Sequence, residues 1–97
     1  MGVTLSPKAS LDLEAIYNYS LQVWGAEQAG RYLARLFSGL DLLVDTPYLG
    51  RQLGGRLGAI RILNIGEHIA YYQIRSSGVY VIRVLHPKQQ VVLTPEE

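Results

Sequence analysis

The residue pattern predicts an α+β domain: a short N-terminal strand, an antiparallel helical hairpin, then a three-stranded antiparallel meander. Three observations carry that prediction. Apolar residues recur at helical spacing from Ala9 to Trp24 and again from Ala29 to Val44, with Gly25 in the gap. Residues 59–65, 67–75 and 79–86 instead alternate with period two and are separated by short Gly- and Ser-containing turns. The chain has 97 residues, enough for one modest core and so for a single domain over residues 1–97.

Each element has its own local cause. Val3-Thr4-Leu5 is β-prone and short. Ser6-Pro7 places an N-cap hydroxyl before a proline at the first helical position, where a missing N–H costs nothing. Ala9, Leu13, Ile16, Tyr17, Ser20 and Trp24 then follow the helical period, with Asp12 and Glu14 toward the positive end of the helix. Gly25 stands where a C′ glycine ends a helix, so Trp24-Gly25 is expected to be a corner: Trp24 filling the end of the core, Gly25 at positive φ. The second helix carries Ala29, Tyr32, Leu33, Leu36, Phe37, Leu40, Leu43 and Val44, and Pro47 stops it.

Residues 48–58 read as a connecting loop with Gly50, Gly54, Gly55 and Gly58 beside Arg51 and Arg56. A glycine loop that cradles phosphate leads from a strand into a helix N-terminus, whereas this one leads into a strand, which favours a flexible connection. The turns at Gly66-Glu67 and Ser76-Ser77-Gly78 are short enough for hairpins. Helices are therefore expected on one face of the sheet, with the other face partly open.

Composition removes several functions. Formal net charge is +1, which excludes nucleic-acid binding driven by bulk charge while leaving room for a local basic stripe. The chain has no cysteine, which removes disulfides, thiolate catalysis and cysteine metal sites. Two histidines, His68 and His86, are too few for an evident metal cluster, and no cofactor motif is present. No apolar run is long enough to span a bilayer and no signal pattern opens the chain, so a cytoplasmic protein is the expectation. Hydrophobic residues make up 48% of the chain and charged residues 18%, which fits either a well-filled core or an apolar patch awaiting a partner.

Arg83 draws attention because an unpaired arginine is expensive to bury inside an apolar strand. Period-two alternation puts it with Val81 and Leu85, and lets it share with Arg61 the face turned away from the helices. There it serves either as a cation for catalysis or as the partner of a carboxylate, of this chain or of another. His68, at a strand start, reads as a solvated turn histidine. His86 lies between Arg83 and Lys88, and an imidazole beside cations suits acid/base work in metal-free RNA cleavage.

One ordered set of residues carries a resemblance: Leu5-Ser6-Pro7-Lys8-Ala9, Leu13, Ile16, Tyr19, Trp24-Gly25, Gln28-Ala29, Tyr32, Pro47, Leu49-Gly50-Arg51, Arg61, Gly66, His68, Tyr72 and Ile82-Arg83-Val84-Leu85-His86. Over residues 3–88 the chain resembles the ParE branch of the RelE/ParE toxin superfamily. The resemblance implies the same α+β fold and the toxin half of a bacterial type II toxin–antitoxin pair. It implies as partners DNA gyrase, whose cleaved-DNA complex ParE toxins trap, and a ParD-like antitoxin with a ribbon-helix-helix DNA-binding part and a tail that folds onto the toxin.

On that basis the antitoxin tail is expected to meet Tyr32, Leu36, Arg61, Tyr71 and Arg83, and the target to meet His86 and Lys88. The RelE branch implies an alternative, a ribosome-dependent endoribonuclease using Arg61, Arg83, His86 and Lys88. A third possibility is a non-toxic antitoxin-binding module. Residues 91–97 contain no histidine or tyrosine and finish in Glu96-Glu97, and Lys8 and Lys88 are the only lysines, all of which disfavours the nuclease. The chain departs from the ParE pattern after the terminal histidine, with Pro87-Lys88-Gln89-Gln90.

Overall fold

Helix α1 (Pro7–Trp24) starts at the predicted cap. The Ser6 hydroxyl accepts from the Ala9 N–H at 2.9 Å and donates to the Ile82 carbonyl at 2.6 Å, so one buried side chain both caps the helix and ties it to the sheet. Gly25, at φ 87° and ψ 171°, ends α1 and opens α2 (Ala26–Asp45), a backbone geometry that L side chains rarely adopt. The corner is real, but Trp24 does not fill the core: it is 42% exposed, with its ring edge-on to that of Tyr32 at 6.5 Å. Helical periodicity alone placed Trp24 on the buried stripe, whereas residues 21–28 around the corner are all exposed.

The computed structural model describes residues 2–89 and 93. Five strands form one sheet in the order β1-β5-β4-β3-β2: β1 (Gly2–Leu5), β2 (Arg51–Gln52), β3 (Arg61–Ile65), β4 (His68–Arg75) and β5 (Gly78–Leu85). The predicted meander is β3-β4-β5, antiparallel throughout, and β1 joins it parallel to β5. Residues 48–58 are more ordered than expected. They supply β2, paired with β3, and a 3₁₀ turn over Gly55–Leu57.

Both helices pack on one face. Ala9, Leu13, Leu36, Leu40 and Leu43 meet Ala70, Tyr72, Val79, Val81 and Val84 in a single buried cluster. Gly39 permits the close approach of α2 to β3, since a Cβ there would lie 2.7 Å from Ile65 Cδ1. The second face is less open than predicted, for Ile62, Gln73 and Leu85 are all buried on it.

One irregularity decides where the functional side chains fall. Tyr72 pairs with Val81 but Tyr71 pairs with Arg83, so Ile82 is an extra residue, a β-bulge. Strict alternation would have kept Val81, Arg83 and Leu85 on one face. The bulge instead puts Val79, Val81 and Val84 together on the helix face, opposite Ile74, Tyr72 and Ala70. The tail residues 90–92 and 94–97, including the acidic finish noted above, lie outside the described residues.

Candidate functional site

Arg61 and Arg83 do not share an open face. Arg61 pairs with the core residue Tyr72, on the helix side of the sheet, where its Nε and Nη2 donate to the Gly50 carbonyl at 3.0 and 2.7 Å. Its Nη2 also reaches the Tyr48 carbonyl at 3.3 Å, and its guanidinium lies 5.2 Å from the Tyr48 ring centre. The buried Tyr72 phenol completes this corner, donating to the Pro47 carbonyl at 2.7 Å and accepting the Gly50 N–H at 2.9 Å. Gly50 must be glycine, because a Cβ would strike the Ile62 carbonyl and the Tyr72 hydroxyl.

Arg83 pairs with Tyr71 on the opposite face and curls around the margin of β5 to Asp12 of α1. The contact is bidentate, Nε and Nη2 each 2.8 Å from a carboxylate oxygen, with side chains only 16% and 11% exposed. Asp12 also accepts the Val84 N–H at 3.0 Å. The carboxylate left open between this chain and a partner is therefore internal, and Asp12 caps a strand margin rather than the helix dipole.

Of the other predicted residues, Leu36 is 1% exposed and belongs to the core, so it offers no surface to a partner. Tyr71 is half-buried on the second face. Lys88 is exposed, and its N–H donates to His86 Nδ1 at 3.2 Å.

His68 is not a solvated turn residue. In the register before the bulge it would align with Leu85; the extra residue shifts the pairing by one, so Ile69 faces Leu85 and the next step brings His68 beside His86. Both rings lie on the helix side, centroids 5.7 Å apart and nearly perpendicular. Tyr32 of α2 comes down on them: its hydroxyl is 2.5 Å from His68 Nδ1 and accepts the Glu67 N–H at 3.0 Å. Gly66, at φ 58°, lets the β3–β4 turn run under the Tyr32 ring, where a Cβ would come within 2.9 Å of it.

These rings line an open cavity of about 530 Å³ between the sheet end and α1, with Ile16, Tyr19 and Trp24 on the opposite wall. Burial, helped by the neighbouring His86 and opposed by Glu67, pushes the His68 pKa below its ordinary value. Burial also raises the Tyr32 phenol, in part against the Glu67 N–H bond. The shift favours the neutral imidazole of His68 over its charged form. No cluster of three or more His, Cys, Asp or Glu residues able to hold a metal occurs among the described residues.

The arrangement of helical hairpin and five-stranded sheet defines a fold class, one shared with chains from solved toxin–antitoxin systems. It superposes on a chain of a chromosomal ParDE system from P. aeruginosa with TM-score 0.77, at 19% identity, covering 89% of this chain and 95% of that one. A chain of the RelBE2 toxin–antitoxin complex from Mycobacterium tuberculosis follows at TM-score 0.68 and 21% identity, covering 88% and 95%.

Sequence narrows the class. The family model for the ParE toxin of the parDE type II toxin–antitoxin system matches residues 3–91. Toxin ParE1 of Mycobacterium tuberculosis is 34% identical over 90% of both chains, and Toxin ParE1 of Caulobacter vibrioides is 34% identical over 84% of both. The chain belongs to the ParE toxin family of type II toxin–antitoxin systems.

Proposed function

We propose that this toxin acts in the cytoplasm by binding DNA gyrase and stabilising its cleaved-DNA complex, and that a co-encoded antitoxin with a ribbon-helix-helix DNA-binding part neutralises it. One observation carries the preference for binding over catalysis. Arg61 is committed to the carbonyls of Gly50 and Tyr48, and Arg83 to Asp12, so the two arginines an RNA-cleaving site would draw on serve the fold. Family membership supports a ParE-type target, and the toxin–antitoxin assemblies among its structural relatives support an antitoxin partner.

The antitoxin surface is then sought on exposed apolar groups rather than on the arginines. Leu11, Val23, Phe37 and Leu42 stand out from the helical hairpin, 42–63% exposed. A tail that orders on binding needs such apolar area to offset its entropy.

The test uses purified toxin with gyrase, ATP and supercoiled DNA. Linear DNA should accumulate, while ribosome-bound mRNA stays intact. His86→Ala should weaken the effect by about tenfold or less, as a lost contact would. Codon-positioned mRNA cleavage by the wild type, reduced about a hundredfold or more in His86→Ala, would replace this proposal with the ribonuclease.

A further inference from the structure

Two nitrogens remain unused at the His68–His86 pair. The Lys88 N–H donates to His86 Nδ1, so in the neutral ring the proton sits on Nε2. Tyr32 already accepts the Glu67 N–H, and its own proton is best used on His68 Nδ1, which assigns the second ring's proton to Nε2 as well. Among the described residues neither Nε2 has a partner, and both rings line the cavity. The wall across from them is apolar and aromatic: Ala15, Ile16, Tyr19 and Trp24.

We propose that this cavity is a receptor for a monocarboxylate carried on an apolar or aromatic group, its two oxygens taken by the Nε2–H groups of His68 and His86. A carboxylate is an acceptor with two oxygens and can take one donor from each of two rings whose centroids lie 5.7 Å apart, where a neutral carbonyl offers one oxygen. A dianionic phosphate fits worse, since its second charge would meet Asp12 and Glu67 in the lining, where no lysine or arginine side chain stands among the described residues. The apolar stem of the ligand lies against α1, and about 530 Å³ is the size of a small-ligand site.

The charged and titratable groups around the rings set the pH dependence. Asp12 comes from α1 with its charge matched by Arg83; Tyr19 also comes from α1, Tyr32 from α2, Glu67 from the turn before β4, and His86 from beyond β5. Burial and His86 disfavour the proton on His68 in the free protein, and a bound carboxylate restores it. Binding therefore takes up a proton and tightens as pH falls.

The experiment titrates the intact chain with 3-phenylpropionate while following the two imidazoles by NMR, with 3-phenylpropionamide as the neutral isostere. The acid should shift both rings saturably, bind about tenfold or more tighter than the amide, and tighten between about pH 8 and about pH 6. His68→Gln and His86→Gln, each checked for folding by melting, should each weaken binding by about tenfold. N-acetylphenylalanine distinguishes the source of the carboxylate: tighter binding than 3-phenylpropionate points to a peptide C-terminus, weaker binding to a free small acid. Equal affinity for acid and amide, unmoved histidine signals, or affinity independent of pH overturns the proposal. None of these readouts depends on gyrase.

Discussion

The two ends of the sheet use the same kinds of residue to opposite effect. At the Arg61 end of β3, the Tyr72 phenol and the Arg61 guanidinium meet main-chain groups of residues 47–50. At the His68 end, the Tyr32 phenol bonds Glu67 and His68, and the imidazoles beyond it face a cavity. A tyrosine or a basic residue is therefore no guide to function by itself. What differs is whether a loop folds back to supply its partners, and Gly50 is what allows the loop to come that close.

The severest challenge to the comparison comes from Asp12, which stands in the wall of the open cavity yet is closed on Arg83 and Val84. Asp12→Ala should destabilise by about 3 kcal/mol, because it removes a bidentate, mostly buried ion pair together with the acceptor of the Val84 N–H. Chemical denaturation measures this, and a loss below about 1 kcal/mol would mean the pair is merely a surface contact. Next is the closed corner itself. Gly50→Ala and Tyr72→Phe should each cost about 1–3 kcal/mol, one by overpacking and the other by stranding buried partners.

Tyr32→Phe is the counterpart at the open end. The Glu67 N–H it releases is exposed and the His68 Nδ1 it also releases borders an open cavity, so water can take both and a loss of about 0.5 kcal/mol or less is expected. Equal losses for Tyr32→Phe and Tyr72→Phe would erase the distinction between the two ends. The smallest effect is pH-dependent. His68 has a lowered folded pKa, so the unfolded chain binds its proton first as pH falls below about 6.5. Stability from this group is complete above that value and declines toward the lower folded pKa; His68→Gln should flatten that part of the stability–pH curve.

Much of the fold was legible because its boundaries are chemical. Ser6-Pro7, Gly25 and Pro47 end or begin helices through a cap, a positive φ and a missing donor, and those signals need no tertiary information. Tyr32 and His86 were singled out in the sequence, but their convergence on His68 was not legible, and the reason is the bulge at Ile82. No glycine or proline marks it. It sits where the strand leaves β1 and takes partners from α1: Ser6 on the Ile82 carbonyl, Asp12 on the Val84 N–H. Those contacts arise only once the helix is docked, yet they shift the register that aligns His68 with His86 and turn Arg83 away from Val81. Trp24 was misjudged for a related reason, since periodicity reports which stripe is apolar and not whether other elements cover it at the hairpin's end.

The same docking of α1 has a consequence for how the protein keeps company with copies of itself. A sheet with a bare, long outer strand is a template on which another chain can crystallise strand upon strand. Here one flank is β1, only four residues long, which turns at once into a helix whose Ser6 and Asp12 occupy the main-chain groups a visiting strand would seek. The other flank is β2, two residues long. For a chain whose residues are 48% hydrophobic, these blunted margins guard against runaway stacking.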